Sequence, residues 1–128
     1  MRTALFAMLL TVVTSSASAA WVAVSDTGRF ITFADPATIS KAGNTVTMWD
    51  LLEYKAAREV EGIRYASQKS RSEYNCQEML MRPLALYLHS GMMGSGEPVF
   101  NITTPDDWQR VVPGSVNEAL LKYACGKQ

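Results

Sequence analysis

The chain has 128 residues with 12 basic and 12 acidic side chains, so its formal net charge at pH 7 is zero. A balanced charge that is mixed along the chain argues against nucleic-acid binding and against strong attraction to anionic lipid. Hydrophobic residues make up 48% of the sequence, as in ordinary globular domains. The sequence contains neither a low-complexity segment nor an internal repeat, so its length indicates one domain behind a short leader.

Residues 1–19 have the pattern of an export signal. Arg2 precedes an apolar run at 4–13, and Ala17-Ser18-Ala19 is a small-residue cleavage site. The run is shorter than the roughly 20 apolar residues that span a bilayer; the alternative is an amphipathic or anchoring N-terminal helix. Cleavage leaves one domain, residues 20–128, in the periplasm or secreted. We find no cysteine near the cleavage site to carry a lipid anchor and predict no membrane span.

The two cysteines, Cys76 and Cys125, are 49 positions apart. In an oxidising compartment two thiols of one exported chain are expected to pair. Closing a loop of about 50 residues stabilises the fold by roughly 4 kcal/mol in the chain-entropy model. A redox-active pair is the alternative, but the C-x-x-C spacing of such pairs is missing. The sequence therefore predicts a structural disulfide.

The domain is predicted to begin with strands. Apolar and β-branched runs bounded by turn residues indicate strands at 21–24, 29–33, 45–54, 63–76, 79–90 and 98–101. Pro83 lies inside the fifth run and predicts either a bulge or an edge there, because proline donates no hydrogen bond. The charged segment 53–61 is interpreted as the solvated end of a strand that runs into a loop or a short helical turn. Short connections between the runs favour an antiparallel meander.

The C-terminal part changes to helical periodicity. The segment 104–107 has the residues of a helix start and predicts a short helical turn that holds Trp108. Ser115-x-x-Glu118 is a capping box, and an apolar stripe follows at Val116, Ala119, Leu120 and Tyr123. Cys125 lies near the end of this helix, so the disulfide should tie the helix to the strand end at Cys76. The predicted fold class is a two-layer α+β domain.

A series of short motifs spans nearly the whole mature chain and resembles the surface-adhesin protein E domain family of diderm bacteria. The motifs are Trp21, Asp35-x-x-x-Ile39, Val46-x-Met48-Trp49-Asp50, Ser67-x-Lys69, Tyr74-x-Cys76, Met93-Gly-x-Gly96, Trp108-x-x-Val111-x-Pro113-Gly114-Ser115 and Cys125. The resemblance implies an antiparallel sheet of about six strands, with a C-terminal helix packed on one face and tied to it by the disulfide. The named member of the family is a lipid-anchored adhesin that binds host matrix and serum proteins, whereas this chain lacks the lipid-bearing cysteine.

Candidate binding residues lie on the segment between two predicted strands, where loops commonly carry function. Tyr54, Arg58 and Arg64 are of the types that concentrate interface energy. Trp49 and Trp108 are expected in the core, with a lining of a binding cleft as the alternative. A basic surface for acidic glycans is a further alternative, but interleaved acids favour a mixed, solvated face.

Catalytic and metal chemistry find little support in the sequence. His89 is the only histidine, and with Met79, Met81, Met92 and Met93 it could supply soft ligands for Cu(I). Methionine is more often a core filler, so no metal site is predicted. The sequence has no nucleophile elbow, phosphate-binding glycine loop or zinc motif, which argues against an enzyme and against a cofactor.

The sequence thus predicts an exported, non-enzymatic binding or envelope-associated module. It would recognise a protein partner, from the host matrix or the envelope, through a sheet edge or a loop surface. The alternative is a periplasmic small-ligand or stress-related protein without host contact.

Overall fold

The computed structural model describes residues 20–126. The predicted export signal, residues 1–19, lies outside the described residues. The described part forms eight β-strands and one α-helix: β1 Val22–Asp26, β2 Phe30–Ala34, β3 Ser40–Ala42, β4 Thr45–Val60, β5 Ile63–Asn75, β6 Leu80–His89, β7 Pro98–Ile102, β8 Gln109–Arg110 and α1 Val116–Gly126. All strands belong to one sheet.

The sheet is an antiparallel meander, as the short connections predicted. Six strands follow one another in the order β1-β2-β4-β5-β6-β7, while the short β3 pairs with β4 and the short β8 pairs with β6. Of the two alternatives at Pro83, a bulge or an edge, the structure has the bulge, because the β5–β6 register shifts between Pro83 and Ala85. This shift keeps the apolar residues of β6 on the helix side although proline lacks an N–H.

The end of β4 is solvated, as expected, but the loop or helical turn expected within 53–61 is wrong, because the strand continues to Val60. Glu61 and Gly62 have φ of 50° and 80°, as a two-residue type I′ hairpin turn requires. Such a turn lets the strands pair up to the tip, where Val60 lies opposite Ile63. A bulge in β4 between Glu53 and Arg58 accommodates the additional residues of this strand, most of which are exposed. The sequence pattern did not indicate a strand here, because residues 55–60 of β4 are all exposed and therefore show no alternation of apolar and polar side chains.

The core lies between one face of the sheet and α1. It consists of Ala34, Val46, Met48, Tyr74, Met81, Val111, Leu120, Leu121 and Ala124. Ser115 caps the helix: its Oγ accepts from the Glu118 N–H at 3.2 Å, and the Glu118 carboxylate accepts from the Gly114 N–H at 3.3 Å. An eleven-residue helix is marginal alone, so packing on the sheet must stabilise it.

The disulfide between Cys76 and Cys125 fixes the end of α1 to the sheet. Its Cα atoms are 5.9 Å apart, and both cysteines pack against the core. The predicted α+β fold with a disulfide-tied C-terminal helix is therefore confirmed.

The segment before α1 is extended, so the predicted helical turn at Trp108 is wrong. The Asp106 N–H donates to the Pro83 carbonyl at 2.9 Å, and β8 pairs with the start of β6. These tertiary hydrogen bonds outweigh the local helix-start signal. Trp108 is 38% exposed and carries the Arg82 guanidinium 4.8 Å from its ring centroid, so it is not a core residue. Trp49 is half-buried on the other face, 6.1 Å from the Tyr87 ring.

Candidate protein-binding surface

The bulge of β4 between Glu53 and Arg58 brings two of the predicted binding residues together. The Arg58 guanidinium lies 5.3 Å from the centroid of the Tyr54 ring, within the range of a cation–π contact. Tyr54 also packs edge-on against Phe30 and Tyr65, with centroids 5.9 and 5.5 Å away. Burial, followed by the neighbouring Tyr65, raises the pKa of the Tyr54 hydroxyl, which stays a neutral hydrogen-bonding group.

Arg64 is not part of this cluster. It lies opposite Glu59 in the hairpin register, whereas Arg58 lies opposite Tyr65 in the preceding pair. Because successive side chains of a strand point to opposite faces, Arg64 projects from the other side of the hairpin. The three predicted residues therefore form two separate surfaces.

An apolar groove runs between the hairpin tip and β7 on the helix side of the sheet. It has a volume of about 240 Å³ and is lined by Val60, Glu61, Ile63, Tyr65, Gln68, Leu86, Leu88 and Phe100. Val60 is 50% exposed and Phe100 is 42% exposed. Tyr65 joins this groove to the Tyr54–Arg58 contact, since it lines the groove and packs on the Tyr54 ring.

The groove is bordered by β7, an edge strand with little protection. Within residues 20–126, β7 pairs with β6 on one side and with no strand on the other. All five of its residues are exposed, and its sequence Pro-Val-Phe-Asn-Ile carries no charge. Native edge strands are usually guarded by lysine, other charges or bulges. A second hollow of about 350 Å³ adjoins Ile102 and shares Leu86 with the groove, so apolar surface extends along β7.

The opposite face of the sheet is covered by the loop 91–96. Buried Ser67 donates from Oγ to the Gly91 carbonyl at 2.7 Å and accepts from the Gly94 N–H at 2.8 Å. A side chain at Gly94 would meet the Lys69 Cδ atom at 2.7 Å, and φ there is 70°. The positive φ favours glycine at this position, and a side chain there would also displace the flexible Lys69 chain.

His89 also holds this loop. Its Nδ1 lies 3.1 Å from the Gly96 carbonyl oxygen, which can only accept, so Nδ1 carries the proton. Met81 lies eight residues earlier on β6, about 25 Å away along an extended strand. Met79 and Met81 therefore lie around the start of β6, far from His89, whereas Met92 and Met93 lie on the loop that follows it. In the part of the chain that the structure describes, no three His, Cys, Asp or Glu side chains are grouped to hold a metal ion.

Comparison with known proteins agrees with the fold and the motifs. The model of the family described as surface-adhesin protein E matches residues 21–126. The chain belongs to the surface-adhesin protein E family. Membership supports an adhesin-like protein of the cell envelope. A search among curated protein sequences finds no significant match.

Solved structures of Haemophilus influenzae protein E share the fold of this family member. One has a TM-score of 0.63 at 9% identity and covers 85% of this chain and 86% of its own. The structure of its crystal form II has a TM-score of 0.60 at 10% identity, and the match covers 80% of this chain and 91% of that chain. The structure of protein E from non-typeable Haemophilus influenzae has a TM-score of 0.61 at 10% identity, and the match covers 88% of this chain and 79% of that chain. At such low identity the likeness establishes the fold alone.

Two of the family-like motifs meet on the loop-covered face. Ser67-x-Lys69 supplies the hydroxyl that binds the loop and the side chain that packs under it, and Met93-Gly-x-Gly96 is the loop itself. These motifs therefore have a structural role in this family member. Among residues 20–126, no helix has the length and apolar character needed to cross a membrane.

The apolar groove was missed by sequence reasoning. Its lining comes from the hairpin tip, β6 and β7, which are far apart in the chain. The sequence signal for this site was the absence of charge in the strand at 98–101. That signal indicates a binding edge only when the strand order shows that this strand lies at the edge of the sheet. Asp50 was named only as part of a family-like motif: in the sequence it lies between Trp49 and Leu51, and only the fold shows that its carboxyl is buried.

Proposed function

We propose that this protein is an exported, non-enzymatic envelope module that binds a protein partner by strand addition to β7. The observation that carries the proposal is an uncharged, exposed edge strand beside an apolar groove. In strand addition, main-chain hydrogen bonds supply affinity and pockets for alternate side chains supply specificity.

The geometry of β7 defines what the partner segment must offer. Phe100 and Ile102 lie opposite Leu88 and Leu86, so both point to the helix side, where the groove is. An added strand would place its own alternate side chains on the same side. The partner is therefore an extended segment with apolar residues at every second position.

The Tyr54–Arg58 contact supports the same surface. Aromatic and arginine side chains carry much of the energy of protein interfaces. Arg58 lies opposite Tyr65, which lines the groove, and its positive charge would complement an acidic residue beyond the apolar segment. The partner belongs to the host matrix or to the envelope of the organism itself.

The test is binding of the purified protein to a panel of matrix proteins and to envelope extract from the organism. Phe100→Asp places a charge on the helix side of β7 and should weaken binding at least about tenfold, the usual effect of losing a central apolar contact. Val112→Asp is the matched control, because Val112 is also exposed and lines neither the groove nor the hollow. Equal binding by both variants would reject β7 as the site.

Cell fractionation separates host contact from a periplasmic role. A protein that binds host matrix must be labelled by a membrane-impermeant reagent on intact cells. Labelling only after the outer membrane is opened would leave an envelope partner and exclude the host.

A further inference from the structure

A further pocket adjoins the groove, with which it shares Gln68 and Leu86, and lies under the start of α1. It has a volume of about 230 Å³. Its polar lining is Asp50, Gln68, Ser70, Ser72, Gln109 and Asn117, and its apolar lining comes from β2, β4, β6 and α1. Asp50, Ser70 and Ser72 are buried, whereas Gln109 and Asn117 are exposed. The buried groups therefore form the floor of the pocket and the exposed amides form its rim.

Asp50 is the chemically unusual member of this pocket, which we call the Asp50 pocket. It is only 3% exposed, and none of the ion pairs of residues 20–126 involves it. The elements around it, β2, β6, β8 and α1, contribute only uncharged side chains to the lining. Buried carboxylates are normally paired, because an isolated buried charge is very costly. This carboxyl has no cation from the chain itself.

The surroundings of Asp50 include further polar groups without partners. The buried Tyr74 hydroxyl has no hydrogen bond of good geometry within the described part of the chain, although the Ser72 side chain lies close to it, and the buried Thr32 Oγ1 on β2 likewise has no partner there. Tyr74 is the titratable neighbour: burial, then the Asp50 charge, raises the pKa of its phenol, so the two groups interact. Unsatisfied buried polar groups are rare in native proteins and call for a specific explanation.

We propose that the Asp50 pocket binds a small primary amine, with its ammonium group on the Asp50 carboxylate and its apolar body against the lining side chains. An ammonium group has three donors. Asp50 lies directly opposite Ser70 in the β4–β5 register, and Ser72 is the next residue on the same face. One carboxylate and two hydroxyl oxygens are therefore available as acceptors. This function goes beyond protein recognition at β7.

Other ligand classes fit the lining less well. Ca²⁺ takes six to eight oxygen ligands, usually with several carboxylates, and this pocket has one. An anion would be repelled by Asp50 once it ionises. The pocket is smaller than the roughly 300–1,000 Å³ of sites for drug-sized ligands, so the amine must be compact.

Binding of an amine should be coupled to release of a proton. Burial raises the pKa of Asp50 to about 8, so the free protein holds this carboxyl largely protonated at neutral pH. A cationic ligand needs the ionised form. The affinity for an amine should therefore rise with pH until Asp50 is fully ionised.

The experiment titrates the mature, disulfide-bonded protein with 2-phenylethylamine and follows binding by NMR chemical shifts. The uncharged alcohol 2-phenylethanol is the matched control ligand. From the proton affinity of Asp50, the amine should bind about 20-fold more tightly at about pH 8.5 than at about pH 6.5. Asp50→Asn should abolish this binding at both pH values.

A rim variant keeps the test decisive if Asp50→Asn fails to fold. Asn117→Trp places a large side chain over the pocket and should block the amine. Lys122→Trp is its control, because Lys122 is exposed on the same helix and lies outside the lining. Saturable binding that is lost in Asn117→Trp and kept in Lys122→Trp supports the site. Absence of saturable amine binding, equal binding of the alcohol, or no dependence on pH would overturn the proposal.

Discussion

Replacing Asp50 by Asn should stabilise the protein, and the gain should depend on pH. Asn keeps the shape of the side chain and removes the charge. A tenfold change in proton affinity corresponds to 1.36 kcal/mol. Raising the pKa from 3.8 to about 8 therefore means that ionised Asp50 costs the fold on the order of 5 kcal/mol.

The sign of the pH dependence follows from the raised pKa. The folded protein binds this proton more tightly than the unfolded chain, so the contribution of Asp50 is fully present below about pH 4 and is lost as pH rises towards 8. The two proteins should be nearly equal in stability at about pH 4. At about pH 8 the variant should be more stable by roughly 4 to 5 kcal/mol.

The measurement is urea unfolding followed by tryptophan fluorescence at both pH values, in buffers free of amines. Asp26→Asn is the control with the opposite sign, because a hydrogen bond from the Gly28 N–H, then Lys55, lowers the pKa of this exposed carboxyl. That variant should lose stability at neutral pH and none in acid. A difference between Asp50→Asn and the parent that does not change with pH would refute the argument.

Four further results are expected. Thiol titration of the denatured, unreduced protein should find no free thiol, and Cys76→Ser with Cys125→Ser should cost roughly 4 kcal/mol, as measured by urea unfolding; two titratable thiols in freshly exported protein would contradict this. Leu120→Ala should cost roughly 2 to 5 kcal/mol, because Leu120 is buried between α1 and the sheet; a loss below about 0.5 kcal/mol would place it at the surface. Ser67→Ala should speed hydrogen exchange of the Gly94 amide, whose acceptor it removes; unchanged exchange would show that the loop is held otherwise. Arg58→Ala should weaken partner binding in the panel assay, since its guanidinium lies on the Tyr54 ring; full binding would remove this contact from the site.

Much of the fold could be predicted because local and long-range signals agree in it. The strands of the meander are apolar runs between turn residues, and the helix has both a cap at Ser115 and a stripe ending near Cys125. The bulge at Pro83 follows from the missing N–H of proline. In each case the residue's own chemistry restricts the backbone.

The errors arose where distant contacts decide the structure. The segment before β8 carries helix-start residues, yet hydrogen bonds to Pro83 and to the start of β6 hold it extended. Tyr54 and Arg58 could be named from residue type, but the contact between them depends on the bulge after Glu53. The Asp50 pocket could not be predicted, because the sequence does not show which face of β4 the helix covers. Arg64 stays a prediction, on a surface of its own.

The position of the disulfide has a mechanical consequence. When tension is applied between the two ends of the chain, the bond between Cys76 and Cys125, 49 positions apart, excludes the segment between them from the path of the force. Only the part before Cys76 can unravel, so the extension reaches about 190 Å, where an unbridged chain of this length would reach about 360 Å. Strands β6, β7 and β8 all lie within the covalent loop. A partner bound to β7 would therefore remain attached to a disulfide-closed segment that tension on the chain ends cannot extend.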